Sequence, residues 1–477
     1  MIGRLMAALM LAGCAAVNPP LNRALTTPNV PVIAEAPPGE TYVALAFSGG
    51  GMRASAFAYG MTEALRAAGP GPHGLLSEVR LVSGVSGGSV TAAQLGLYGP
   101  AGLVGYRERY LLTDAERYMA NNPFNPVTIA RGLAGGANGR ATFGRYLDEV
   151  LFRGATFGDL RARSGIVTWI NATDIANNTP FLFSPETFDA LCSDFASFPI
   201  SDAVAASAAF PLVFSPIVLE VHRGACDWAE PNWLTAARFN PEASSAMRAH
   251  ARALESYADA GRVKFVKLLD GGITDNFGTT GLAVERARAR EAHAPMTPEQ
   301  AVRLKRMLFL VANAGVEVDY GWTQRLPGPG GVALAQSIAA ASLSAATRAG
   351  YDAMRGELRR WEGELVAWRC ALPAAEVRRL RGTLAGWDCR DVKFFVGEVS
   401  FDALDAETRE RLNRVPTRLR LKPEEVDLAI DAGRRATEAS AEFNGFLRAT
   451  EAAPVAARMG AQGGRRIAPA RTVAVMP

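Results

Sequence analysis

The chain has 477 residues, 49% of them hydrophobic and 21% charged, with a formal net charge of +4. That apolar content is enough to bury a sizeable core, which excludes a wholly disordered chain. Of the 51 basic residues only five are Lys (Lys264, Lys267, Lys305, Lys393 and Lys422); beside so much Ala and Gly this reads as a compositional bias, not as a footprint for nucleic acid.

The first thirteen residues carry one positive charge, Arg4, and then an apolar run from Leu5 to Leu11. The run is too short to span a bilayer and reads as an export signal. It ends in Leu11-Ala12-Gly13-Cys14, which resembles the bacterial lipoprotein signal, with cleavage after residue 13 and acylation of Cys14. Ala15 follows where an inner-membrane retention signal places Asp, so the expected location is the outer membrane, facing the periplasm. Residues 14–41, rich in Pro, Asn and Thr, are expected to form a tether from lipid to domain.

Tyr42–Phe47 reads as a strand, followed by Ser48-Gly49-Gly50-Gly51-Met52-Arg53 and a helix over Ala54–Ala68. Glycines opening a helix leave backbone N–H groups aimed at one spot, suited to an oxyanion or a phosphate. No Lys-Ser/Thr pair follows and Ala54 spoils a full G-x-G-x-x-G, so a nucleotide site is disfavoured. A second strand, Val79–Val82, feeds Gly84-Val85-Ser86-Gly87-Gly88. A serine between glycines on a sharp strand-to-helix turn has the form of a nucleophile elbow, where a Cβ on the flanking residues would block the turn. Gly132–Arg140 reads as a mobile surface loop, and Ile166–Asn171 as a third strand.

Further along, Val221–Arg262 carries Trp228, Trp233 and Phe239 amid polar residues and reads as an insert. Either it forms a lid whose aromatics meet lipid, or these rings are the core of a small helical unit, the reading we favour. Phe265–Leu269 is a strand ending in Asp270-Gly271-Gly272, which places an acid at a sheet edge; the alternative is a plain Asx-type turn. Met307–Val311 and Val392–Val396 complete the strands. The uncharged run Pro327–Thr347 reads as a buried helix start, too polar to span a membrane. Ala452–Pro477, with Arg458, Arg465, Arg466 and Arg471 and no acid, reads as a disordered solvated end, with attraction to anionic lipid as the alternative. Helical patterns between the strands predict a three-layer α/β/α sandwich with a mostly parallel central sheet.

Gly-Gly-Gly-x-Arg, then Gly-x-Ser-x-Gly, then Asp-Gly-Gly, in that order, resembles the patatin-like phospholipases. The block Ala206–Pro216 resembles the segment that family carries before its aspartate, while Val415-Pro416-Thr417 and Glu425–Gly433 resemble the carboxyl end of bacterial members. The resemblance implies a catalytic core over 42–285, extended by an α/β segment over 286–451. It implies a Ser-Asp dyad, with Ser86 as nucleophile and Asp270 as proton acceptor, and an oxyanion hole from Gly49, Gly50, Gly51 and Gly87. Gly84, Gly88, Gly271 and Gly272 complete the motifs, and Arg53 either orients the loop or meets a phosphate. Ala54 departs from the usual Gly, and its methyl threatens to crowd the oxyanion loop. The implied reaction is cleavage of ester bonds in phospholipids or lysophospholipids, with a transacylase or a non-catalytic envelope scaffold as alternatives.

Histidine usage agrees with a dyad. Of His73, His222, His250 and His293, only His293 follows Asp270, and its polar stretch Arg290–Pro295 reads as solvated surface. No histidine or cysteine pair has metal-ligand spacing, and the dyad implies no cofactor. Besides Cys14 there are Cys192, Cys226, Cys370 and Cys389; an even number in an exported chain suggests disulfides. Of three connectivities, Cys192–Cys226 with Cys370–Cys389 closes the shortest loops, and four reduced buried thiols are the alternative.

Overall fold

The computed structural model describes residues 18–30, 39–119, 131, 135–211, 213–241, 243–259, 261–289, 291–316, 321–324 and 326–450. The export signal, Cys14 and the tail 452–477 lie outside the described residues.

Eight strands form one sheet: β1 (Thr41–Phe47), β2 (Val79–Val85), β3 (Val167–Asp174), β4 (Thr179–Leu182), β5 (Ile217–Glu220), β6 (Phe265–Asp270), β7 (Arg306–Asn313) and β8 (Lys393–Ser400). Their order is β5-β6-β3-β2-β1-β7-β8, with β4 beside β3. The run β3-β2-β1-β7-β8 is parallel, whereas β4 and β6 each run antiparallel to β3 and β5 runs antiparallel to β6. Six of these strands fall where apolar runs predicted them; β4 and β5, four residues each, are too short to show a period.

Helices cover both faces of the sheet. Alternate residues of β1 point to opposite sides, as strand geometry requires. Val43, Leu45 and Phe47 join a core with helices α1 (Gly51–Ala67), α2 (Gly87–Tyr98) and α3 (Ile200–Ser207). Tyr42, Ala44 and Ala46 join another with Phe309 and Trp361. The chain is a three-layer α/β/α sandwich. Strands β7 and β8, from the 286–451 segment, continue the central sheet directly from β1.

Beyond β5, the 221–262 segment forms helices α4 (Asn232–Phe239) and α5 (Ser245–Ala258). Trp233 is buried there and Trp228 packs against the core, while Phe239 is 71% exposed. A long helix α6 (Gly331–Ala371) follows β7, and α7 (Pro423–Ala439) closes the fold. Helix α7 crosses α1 backbone to backbone: a Cβ on Gly433 would lie 2.0 Å from Phe57 O. The 286–451 segment is thereby fastened to the helix that follows the glycine loop.

Three expectations need correction. Residues 18–30 are not a free tether. Asn18 donates to the carbonyls of Ser215 and Pro216 at 3.2 and 2.9 Å, Asn22 to Glu220 O at 2.7 Å, and Asn29 to Ser193 O at 2.9 Å. An Asn side chain can satisfy a donor and an acceptor of a passing chain at once, so Asn18 and Asn22 bind this strap along β5 and Asn29 binds it to the 189–195 turn. The 132–140 loop is not a surface loop where it is described: Gly136, Ala137, Asn138 and Gly139 are buried, and Asn138 bridges to Phe214. Finally, none of the described side chains of the run 327–347 is buried, because the run enters the half of α6 that leaves the body of the protein.

The sulfurs of Cys192 and Cys226 are bonded, as are those of Cys370 and Cys389. The first bond ties the turn after a short helix to the start of the 221–262 segment. The second joins the end of α6 to the approach to β8.

Candidate active site

Ser86 stands between β2 and α2 with φ 50° and ψ −122°, a conformation unfavourable for a residue bearing a Cβ. Neighbouring contacts hold it there. Its N–H donates to Ser207 Oγ at 2.8 Å, and the Ser207 hydroxyl in turn donates to Asn171 O at 2.6 Å. Ser207, fully buried on α3, thus links the elbow to β3. Asn171 also donates from Nδ2 to Ser83 Oγ and to Gly84 O, bracing the strand below the turn.

Strand β6 ends at Asp270, which lies opposite Ala172 of β3, one position past the Val85–Asn171 pair. This register brings Asp270 level with Ser86, although 184 residues separate them in the chain. The Ser86 hydroxyl faces the Asp270 carboxylate and favours its charged form, and the carboxylate accepts from Gly272 N–H at 2.9 Å. Asp270 is 5% exposed. Burial pushes its carboxyl up from the ordinary 3.8 to about 6, against the opposing pull of the Gly272 N–H and Ser86 hydroxyl. The acid remains ionised at neutral pH and is a stronger base than a solvated aspartate.

The glycine loop meets the elbow directly. A Cβ on Gly87 would stand 1.9 Å from Gly51 O, so only glycine fits there. Gly50 and Gly51 have φ of 141° and 62°, which turns the loop into α1. Among the described residues, the N–H groups of Gly50, Gly51 and Gly87 donate no hydrogen bond. Gly49 differs: its N–H donates to Asn276 Oδ1 at 3.1 Å and is not free to hold an oxyanion. Ala54 does not crowd the loop. Its buried methyl sits directly under Gly50, where a Cβ at position 50 would stand 3.2 Å from it, so the glycine is what leaves the methyl room; the Ala54 N–H reaches back to Gly50 O at 3.4 Å.

Arg53 faces protein, not substrate. Its guanidinium donates to Ala314 O at 3.2 Å, Val415 O at 2.5 Å and Thr417 Oγ1 at 3.0 Å, and burial lowers its pKa to about 10. Together with the bond from Met52 N–H to Arg418 O at 2.8 Å, it pins the loop to the 415–418 segment. His293 is not solvated surface as its sequence suggested. Nδ1 bonds to Met296 O at 2.8 Å and the ring lies 4.9 Å from that of Trp368. Neither partner belongs to the Ser86 site. No group of three or more His, Cys, Asp or Glu among the described residues could hold a metal ion.

Ser207, Asn171 and Asn276 were not singled out in the sequence. Ser207 lies in the Ala206–Pro216 block and Asn276 follows Asp-Gly-Gly by four positions, so both were near a visible motif; nothing local reveals which backbone groups they reach.

Residues 45–283 match the family model described as patatin-like phospholipase. The chain belongs to the patatin-like phospholipase family. Its domain is of the lipid acyl hydrolase type. Among solved structures, this patatin-like chain is similar to human GIVD cytosolic phospholipase A2, with 12% identity and a TM-score of 0.42 over 86% of this chain and 62% of that one. It is also similar to VipD from Legionella pneumophila, with 13% identity and a TM-score of 0.32 over 90% and 72%. The chain spans about three fifths of the human phospholipase structure (62%). No curated protein matches it significantly.

Proposed function

We propose that this protein is a serine acyl hydrolase that cleaves ester bonds of phospholipids or lysophospholipids. The observation that carries the reading is the Ser86 hydroxyl facing the carboxylate of a buried Asp270, beside the N–H groups of Gly50, Gly51 and Gly87, which donate no hydrogen bond among the described residues. Ser86 Oγ attacks the ester carbonyl carbon while its proton passes to Asp270. The carbonyl oxygen, now negative, accepts from the three glycine N–H groups. Collapse of this intermediate expels the lysolipid or glycerol alcohol, which takes the proton from Asp270 and leaves an acyl-Ser86. Water then attacks the acyl carbonyl with Asp270 as base, releasing the fatty acid.

The export signal and Cys14 support a lipid-anchored protein of the outer membrane, facing the periplasm, and two disulfides suit an oxidising compartment. Four positions separate Cys14 from Asn18, a reach of at most about 14 Å. Asn18 grips Ser215 and Pro216 just before β5, whose Ile217 pairs with Leu268, two residues from Asp270. An acylated Cys14 therefore keeps the sheet edge that bears Asp270 close to the lipid surface.

The test is a defined panel of phospholipids and lysophospholipids with products read by mass. Wild-type protein should release fatty acid and Ser86→Ala should not. Release by Ser86→Ala, or none by wild type on any lipid, rejects the reading; transfer of acyl chains to an added alcohol in place of water assigns a transacylase.

A further inference from the structure

The two halves of α6 are built differently. From Met354 onward, Met354, Leu358, Trp361 and Leu365 recur at helical spacing and are buried against β7 and β8. Charges begin just before this half, at Arg348 and Asp352, and continue through it at Arg355, Glu357, Arg359, Arg360, Glu362, Glu364 and Arg369. The first half has neither feature. Between Arg325 and Arg348 the sequence contains no charged residue, and no described side chain from 331 to 353 is buried. Leu334 is 46% and Ile338 59% exposed, and Leu326, just before the helix, is fully exposed. A helix end without ion pairs and without an apolar neighbour is poorly suited to water.

That end begins at the candidate active site. Leu343 packs against the turn after Asp270: a Cβ on Gly272 would lie 2.6 Å from Leu343 Cδ1. From Leu343 back to Gly331 the helix runs a further ~18 Å beyond this contact. No helix among the described residues is long and apolar enough to cross a membrane. The exposed half of α6 has instead the properties of an element that lies in a lipid interface, with apolar side chains entering the acyl boundary and Arg348 left at the headgroup level.

We propose that the N-terminal half of α6, Gly331–Thr347, is the surface by which this protein engages a phospholipid bilayer, delivering substrate to Ser86 along Leu343. The occupant is the lipid surface itself: the helix abuts the Asp270 turn through Leu343, is uncharged from Gly331 to Thr347, and carries large apolar side chains at 334 and 338. The proposal rests on the lipid hydrolase reading, and its test separates the two.

In the full chain carrying Cys14→Ser, an environment-sensitive dye on Ser342→Cys reports the helix itself, in line with 334 and 338. With neutral phosphatidylcholine vesicles, which offer no net charge to the basic tail, its emission should shift to the blue. Leu334→Glu with Ile338→Glu should abolish the shift. In the otherwise native chain the same pair should lower phosphatidylcholine hydrolysis in vesicles by about tenfold or more, while hydrolysis of a soluble short-chain ester stays within about twofold. No blue shift in the parent, unchanged vesicle hydrolysis, or an equal fall in both reactions overturns the proposal. So does a dimer in solution that the double variant dissolves, since a second copy then covers the helix. Were the parent to hydrolyse neither substrate, the hydrolase reading would fail while the dye still decided the helix.

Discussion

Asp270→Asn is expected to remove activity and, at the same time, to stabilise the fold. The carboxylate is held in the protein interior, accepting from the Gly272 N–H and facing the Ser86 hydroxyl, and burial outweighs both. Its pKa therefore rises from 3.8 to about 6, a difference that corresponds to about 3 kcal/mol. The sign follows from linkage. Below about pH 4 the group is protonated in both folded and unfolded chains and burial carries no charge penalty. Above about pH 6 it is ionised in both, and the folded state bears the full penalty. The amide is nearly isosteric: its oxygen still accepts from Gly272 N–H, and its NH2 can donate to the Ser86 oxygen. For a chain of this size the unfolding entropy makes 3 kcal/mol worth about 3 °C in Tm. Differential scanning calorimetry at pH 8 should show Asp270→Asn melting higher than wild type by about that amount, with the gain vanishing at pH 4. kcat on a soluble ester should fall by about a thousandfold or more. A variant that melts lower at pH 8, or a gain of equal size at pH 4, would refute the reasoning that a buried charge at Asp270 strains the site.

The same carboxyl sets the pH profile: kcat/KM for a soluble ester should rise with a single limb near pH 6, and a limb near pH 4 would mean a solvated base. His293→Ala should keep activity within about twofold, since its ring is bound to Met296 and Trp368; a large loss would replace the dyad by a triad. Ser207→Ala removes the hydroxyl that bridges Ser86 N–H and Asn171 O, and we expect kcat to drop about tenfold with KM little changed. Restoration by Ser207→Thr distinguishes positioning from general loosening. Cys14→Ser should leave unprocessed precursor that carries no acyl group, as mass spectrometry of the membrane fraction would show; a lipidated variant protein would exclude Cys14 as the anchor.

The sequence by itself determined six of the eight described strand positions, the sandwich class and the two candidate reacting groups. Each is written in a short window. An apolar run of five or six residues marks a strand buried on both faces, and glycines beside Ser86 and Asp270 mark turns that no other residue accommodates. Such signals depend on backbone sterics and burial, which act on the residue that carries them.

Tertiary structure alone decided how the polar groups are paired. Gly49 looked equivalent to Gly50 and Gly51, but Asn276, 227 positions away, takes its N–H. Arg53 was left between a substrate phosphate and the loop, until Ala314, Val415 and Thr417 engaged its donors. The asparagines at 18, 22 and 29 read as linker composition and instead bind β5 and the turn at Ser193. The uncharged stretch from Pro327 to Thr347 has the composition of a buried helix, yet it stands exposed because α6 outruns the sheet that covers its second half. A hydrogen bond or an apolar contact needs a partner, and here the partners lie tens to hundreds of residues distant. Composition states what a side chain can do, and the packing of the three layers selects which group it meets.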